Sequence, residues 1–94
     1  MTLTPHQKQE LKKQAHHLKP QIQIGRNGLT PQQINNIKTA LKDHQLIKIK
    51  YNAHKDQKQT LTEQILTQTG AEQIDLIGNT LIIYQEKPPL EKIR

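Results

Sequence analysis

Isoleucine and leucine recur along this chain at two spacings, and the switch between them divides it into elements. Leu11, Ala15 and Leu18 fall on one side of a helix, as do Ile34, Ile37 and Leu41, and again Leu61, Ile65 and Leu66. Between these stripes the period drops to two. Ile47, Ile49 and Tyr51 alternate with Lys48 and Lys50, and Ile22 and Ile24 flank Gln23. Such alternation predicts strands over Leu46–Asn52 and Gln21–Ile24, in a sheet covered on one face and wet on the other. Gln73–Ile77 and Leu81–Tyr84 read as two further strands, joined as a hairpin through the compact turn Gly78-Asn79-Thr80.

The helix ends are marked as clearly as their faces. Thr4-Pro5-His6-Gln7 and Thr30-Pro31-Gln32-Gln33 each place Thr at the N-cap, Pro at the first helical position and Gln two residues later. Each Thr hydroxyl can accept from the Gln amide while the Gln side chain reaches back to the cap. These signals predict helices over 5–18 and 31–43, the first ended by Lys19-Pro20, because a residue before proline is driven out of the α region. A third helix over 56–69 is closed by Gly70 in the left-handed conformation.

The order is therefore αβαβαββ. It predicts a mixed α/β domain: a small four-stranded mixed sheet, parallel across its βαβ crossovers, with helices packed mainly on one side. Residues 1–84 form that domain, and 85–94, which shows no period, reads as a loose tail.

Composition narrows the class. With 94 residues, twelve Ile and eleven Leu but no Phe or Trp, one aliphatic core must carry the whole domain. The absence of cysteine removes disulfides and thiolate chemistry and fits a reducing cytoplasm. No stretch approaches a membrane span, and the polar opening Thr2-Leu3-Thr4-Pro5-His6 is unlike a signal peptide. The expectation is a cytoplasmic monomer with no membrane partner. Charge is unevenly spread: residues 1–50 hold nine Lys or Arg against two acids, residues 51–94 five against six. A basic surface of that kind attracts polyanions.

Candidate chemistry centres on Gly25-Arg26-Asn27-Gly28, between the first strand and the second helix. Glycines let a backbone approach a phosphate closely, Arg26 supplies charge, and a helix N-terminus adds amide donors and a positive dipole end. A GXXG loop clamps nucleic-acid backbone in KH domains, although there it joins two helices. His16 and His17 point about 100° apart on a helix and cannot share one ion, so no metal site is expected. Neither a nucleophile–base set nor a phosphate-binding P-loop or dinucleotide fingerprint occurs. No catalysis, cofactor or small-molecule substrate is expected. Tyr51 shares its face with Ile47 and Ile49, so base stacking on sheet aromatics is disfavoured.

Leu3-Thr4-Pro5, Ala15-His16-His17-Leu18-Lys19-Pro20, Ile24-Gly25-Arg26-Asn27-Gly28-Leu29-Thr30 and His44-Gln45-Leu46-Ile47-Lys48-Ile49-Lys50 closely resemble the YhbY-like family, stand-alone bacterial versions of the CRM domain. Thr69-Gly70-Ala71-Glu72 and Ile77-Gly78-Asn79-Thr80-Leu81-Ile82-Ile83-Tyr84 match as well, so the resemblance covers about 3–84. It departs at Arg26, where many relatives carry Lys, at Gln21-Ile22, where two valines are usual, and in a less basic Gln9–Lys13. The resemblance implies a fold similar to the C-terminal domain of translation initiation factor three. It also implies RNA binding, with 23S ribosomal RNA or a precursor of the large ribosomal subunit as partner.

The expected site is a phosphate clamp of Gly25, Arg26, Asn27 and Gly28, flanked by Lys19, Lys48 and Lys50, with Lys12, Lys38 and Lys42 as outer contacts. Contacts of this kind position RNA without reading its sequence. The alternative is a module that docks on a ribosomal protein or assembly factor through the acidic second half.

Overall fold

The computed structural model describes residues 3–86. Its elements follow the expected order: α1 (Pro5–Ala15), β1 (Ile22–Ile24), α2 (Pro31–His44), β2 (Leu46–Tyr51), α3 (Lys58–Thr69), β3 (Glu72–Ile77) and β4 (Thr80–Tyr84). A single 3-10 turn at Lys55–Gln57 leads into α3, so the third helix begins two residues later than its pattern suggests. At the other end of the chain, residues 87–94 of the expected tail lie outside the described residues. Gln85 is tied to the body through its amide to the Gln45 carbonyl (2.9 Å) and its side chain to the Thr69 carbonyl (2.8 Å).

The four strands form one mixed sheet in the order β1-β2-β4-β3. β1 runs parallel to β2, and β4 is antiparallel to both β2 and β3. The hairpin thus folds β4 into the centre. The turn is two residues, Gly78-Asn79, with Gly78 at φ +59°, a conformation that only a residue without Cβ adopts cheaply.

One face of the sheet is aliphatic apart from Tyr51 and the exposed Gln73 at its β3 edge. Ile22, Ile24, Ile47, Ile49, Tyr51, Leu81 and Ile83 pack there against Ile37 and Leu41 of α2 and Ile65 of α3. Each such aliphatic side chain contributes about 1.5–3 kcal/mol when fully buried, which lets isoleucine and leucine replace the missing large aromatics. Tyr51 is fully buried, and its hydroxyl meets Thr62 Oγ1 on α3 at 2.7 Å.

The other face departs from the expectation of an open surface. α1 lies across it, with Ala15 fully buried against Leu46 and Ile82 and with Leu11, Leu18, Ile74 and Tyr84 around them. The predicted stripe of α1 is therefore correct, but it docks on the face opposite to α2 and α3. The small Ala15 allows the helix to sit close, and the irregular register at Gln73/Asp75 lets β3 present Ile74 to it. Two of three helices share one side. The third covers the half of the outer face around Leu46 and Tyr84, leaving the half around Lys50, Thr80 and Ile77.

Candidate nucleic-acid interface

Because β1 and β2 are parallel, the loops that follow them emerge at the same end of the sheet, where the β3–β4 turn also lies. The first of these loops is the glycine-bracketed segment. Gly28 N–H donates to the Gly25 carbonyl at 3.0 Å, closing a tight turn with Arg26 and Asn27 exposed at its tip. Gly28 sits at φ +68°, so its glycine is demanded by the turn. Gly25 has no such demand: its φ lies outside the left-handed region, and a Cβ there would meet nothing within 4 Å. The space beside Gly25 is open to an approaching ligand.

The start of α2 supplies fewer free donors than its dipole suggests. Thr30 Oγ1 accepts from Gln33 N–H (3.1 Å), the Thr30 carbonyl accepts from Ile34 N–H (3.0 Å), and Pro31 has no N–H. The Gln33 side chain does not reach back to the cap, as the Gln7 side chain does to Thr4 at 2.9 Å. It donates instead to the Gln23 carbonyl (2.8 Å), because β1 is an edge strand and that carbonyl is within reach. The turn and the side chains of Thr30, Gln32, Gln33 and Asn36 enclose an open depression of about 340 Å³, lined by amides and hydroxyls. Its polar walls suit an anion's oxygens better than an apolar ligand.

The second loop, after β2, holds the first in place. Asn52 N–H donates to the Ile24 carbonyl (2.9 Å), and Asn52 Nδ2 to Gln23 Oε1 (2.6 Å). His54 Nε2 lies 2.7 Å from the Arg26 carbonyl, with its ring 3.8 Å from where a Cβ on Gly28 would stand. The third loop joins through Lys58, whose Nζ donates to the Gly78 carbonyl (2.6 Å) and Asn79 Oδ1 (3.2 Å).

The expected contact residues divide into four groups. Lys50 is exposed on the outer face, in register with Gln23 on β1 and Thr80 on β4, close to the arginine turn. Lys48, on the same face, is half-buried and donates to the Leu18 carbonyl at 3.0 Å, and exposed Lys19 follows directly after. Lys12 is tied across the sheet to Asp75 at 2.8 Å. That ion pair also holds the Asp75 carboxyl below the usual carboxylate range, with burial opposing it. Lys38 and Lys42 are exposed on α2, in the opposite layer. At 1.5 Å per residue Lys42 lies about 16 Å along the helix from its start, so it does not converge with the turn.

Three residues that sequence reasoning passed over belong to this end of the molecule: His54, Lys55 and Lys58. They come from the half of the chain with more acids than bases, so counting charge by halves hid them. The parallel pairing of β1 and β2 was the available signal, since it brings both following loops together. Asp56 accompanies them as the acid of that loop. Among the described residues, no three His, Cys, Asp or Glu side chains gather as metal ligands.

The sheet and its loops define a small α/β domain with a cationic, glycine-bracketed turn braced at one end. Residues 3–85 match the CRS1 / YhbY (CRM) domain, and the chain belongs to that family. A Haemophilus influenzae protein named an RNA-binding protein is 42% identical over 85 residues, covering 89% of this chain and 86% of its own. A Pseudomonas aeruginosa protein named a probable RNA-binding protein is 34% identical over 93 residues, with 98% and 89% covered. YqeI of Bacillus subtilis, named likewise, is 33% identical over 93 residues, with 97% and 96% covered. The solution structure of a hypothetical protein from Staphylococcus aureus, described as a candidate RNA-binding protein, superposes with a TM-score of 0.79 at 32% identity, covering 99% of this chain and 98% of that one.

Proposed function

We propose that this chain binds RNA by its backbone, with the turn Gly25–Gly28 as the phosphate clamp, and acts on ribosomal RNA during assembly of the large subunit. The observation that carries the proposal is the open approach at Gly25 beside an exposed Arg26 whose carbonyl is held by His54. An arginine that makes no ion pair among the described residues keeps its guanidinium for a ligand, and a planar fork suits phosphate oxygens. Lys50 and Lys55 add charge around the turn, while Lys19 lies before β1, near Lys48. The relatives named for RNA binding support the class of partner, and the resemblance to YhbY-like proteins supports the ribosomal setting.

Titration of labelled fragments of large-subunit RNA against rising salt tests the proposal. About four to six phosphate contacts predict that log K falls against log[salt] with a slope of about −3 to −5. Arg26→Ala should weaken every RNA by a similar factor, because a backbone contact carries no sequence information. A slope near zero, or an Arg26→Ala variant that alters preference between sequences, would overturn it.

A further inference from the structure

Ile77 is the one exposed large hydrophobic residue among the described residues, at 50% of its full exposure, and it stands in a particular place. It lies at the end of β3, in register with Thr80 of β4, on the half of the outer face that α1 leaves uncovered. There Ile77, Thr80 and Ile82 line a groove of about 180 Å³ together with Lys12 of α1, His16 just past its end, and Lys48 of β2. Ile77 is the exposed apolar part of the floor, and the rim is basic. Lys12 is offset by Asp75, but Lys48 faces no acid within ion-pair distance among the described residues, and Lys50, opposite Thr80, continues the row.

From these positions we infer that the groove receives an unstacked base of the bound RNA, an inference that rests on the RNA-binding reading above. A base has an apolar face that needs covering and a phosphate at each side that needs charge. The groove offers Ile77 beneath, the His16 imidazole as a stacking surface, and Lys48 and Lys50 for the phosphates. Histidine is one of the side chains on which splayed bases stack. The groove is also within reach of the clamp. Gln23, Lys50 and Thr80 lie in one row across β1, β2 and β4, and two strand spacings amount to about 10 Å. One RNA strand can thus lie with a phosphate at Arg26, cross Lys50 and place a base over Ile77. The site would prefer RNA with unpaired nucleotides to a continuous duplex, a selectivity that the phosphate clamp alone does not supply.

The experiment uses the full chain and two RNAs of equal length, a blunt hairpin and a hairpin with a single-stranded extension. Ile77→Ser and His16→Ala change exposed side chains, and circular dichroism confirms that each variant is folded. Each should lower affinity for the extended hairpin about fivefold to tenfold and leave the blunt hairpin and the salt slope unchanged. Equal losses on both RNAs, or no loss on either, would overturn the inference. Unchanged RNA affinity with loss of binding to intact ribosomal particles would overturn it too, and assign the groove to a protein. Failure of the RNA-binding reading looks different: the unaltered chain then shows no salt dependence, and Arg26→Ala has no effect.

Discussion

The His54 imidazole and the Arg26 backbone, 28 residues apart, are joined by a hydrogen bond of 2.7 Å. A carbonyl only accepts, so Nε2 carries the proton and the neutral ring is the Nε2–H tautomer. His54 makes this bond from a left-handed backbone conformation (φ 55°, ψ 38°), which costs energy for any residue with a Cβ. The bond crosses from the loop after β2 to the loop after β1 and fixes the arginine from behind. His54→Ala should therefore free the turn and weaken RNA binding about fivefold, the equivalent of one hydrogen bond of about 1 kcal/mol. The slope of log K against log[salt] should not change, because the variant removes a brace on the Arg26 carbonyl and leaves Arg26 and the lysines in place. Binding isotherms at several salt concentrations check both halves of this expectation.

That brace shows where a one-dimensional reading stops. The strand alternation, the Thr-Pro caps and the αL residue Gly70 were all legible, because each depends on neighbours within one turn or one strand. The face of the sheet that α1 would choose was not legible. Leu11, Ala15 and Leu18 report an apolar stripe, and a stripe reports no partner. Two residues at positive φ, Gln45 and His54, were equally hidden, since neither is glycine and tertiary contacts hold both. The arginine turn was found from its own residues. Its support by Asn52 and His54 follows only from pairing β1 with β2. Lys38 and Lys42, grouped with the other lysines by composition, are parted from them by the thickness of the sheet.

The two glycines of the turn should behave differently. Gly25→Ala adds a methyl group into open space at an ordinary φ, so thermal unfolding should shift by no more than about 0.5 kcal/mol. If RNA backbone packs against this position, affinity should nonetheless fall severalfold. Gly28→Ala forces a Cβ into φ +68° and should cost about 1–2 kcal/mol of stability whether or not RNA is present. Melting curves and binding measurements on the same two proteins separate ligand approach from turn geometry.

Tyr51 and Thr62 are a buried polar pair whose members need each other. Burial pushes the Tyr51 hydroxyl pKa up, and the hydrogen bond to Thr62 only partly offsets it. The folded protein therefore favours the neutral phenol. Its contribution is fully present below the ordinary tyrosine pKa and is lost as pH rises through the higher folded value. Thr62→Val or Tyr51→Phe alone should cost about 1–3 kcal/mol by stranding the remaining hydroxyl. The double variant should cost less than the sum, since two apolar groups of the same shape leave nothing unsatisfied. Denaturant unfolding of all four proteins gives the coupling directly.

Asp75 offers the opposite kind of change, one that should improve binding. Its pair with Lys12 lies at the surface, both side chains being about a third exposed, so it contributes little to stability near neutral pH. The Lys12 ammonium depresses the Asp75 pKa. The pair's contribution is thus present above the ordinary aspartate pKa and disappears as pH falls through the lower folded value. Asp75→Asn removes one negative charge from the outer face and releases Lys12 to meet phosphate. Unfolding at neutral pH should move by less than about 1 kcal/mol. The stability difference between the two proteins should narrow in acid, once Asp75 in the parent is protonated. RNA affinity at low salt should rise about twofold to fivefold and the salt slope should steepen by about one contact, −0.7 to −0.9. Weaker binding by Asp75→Asn would mean that Lys12 serves RNA only when its side chain is held in place by the carboxylate.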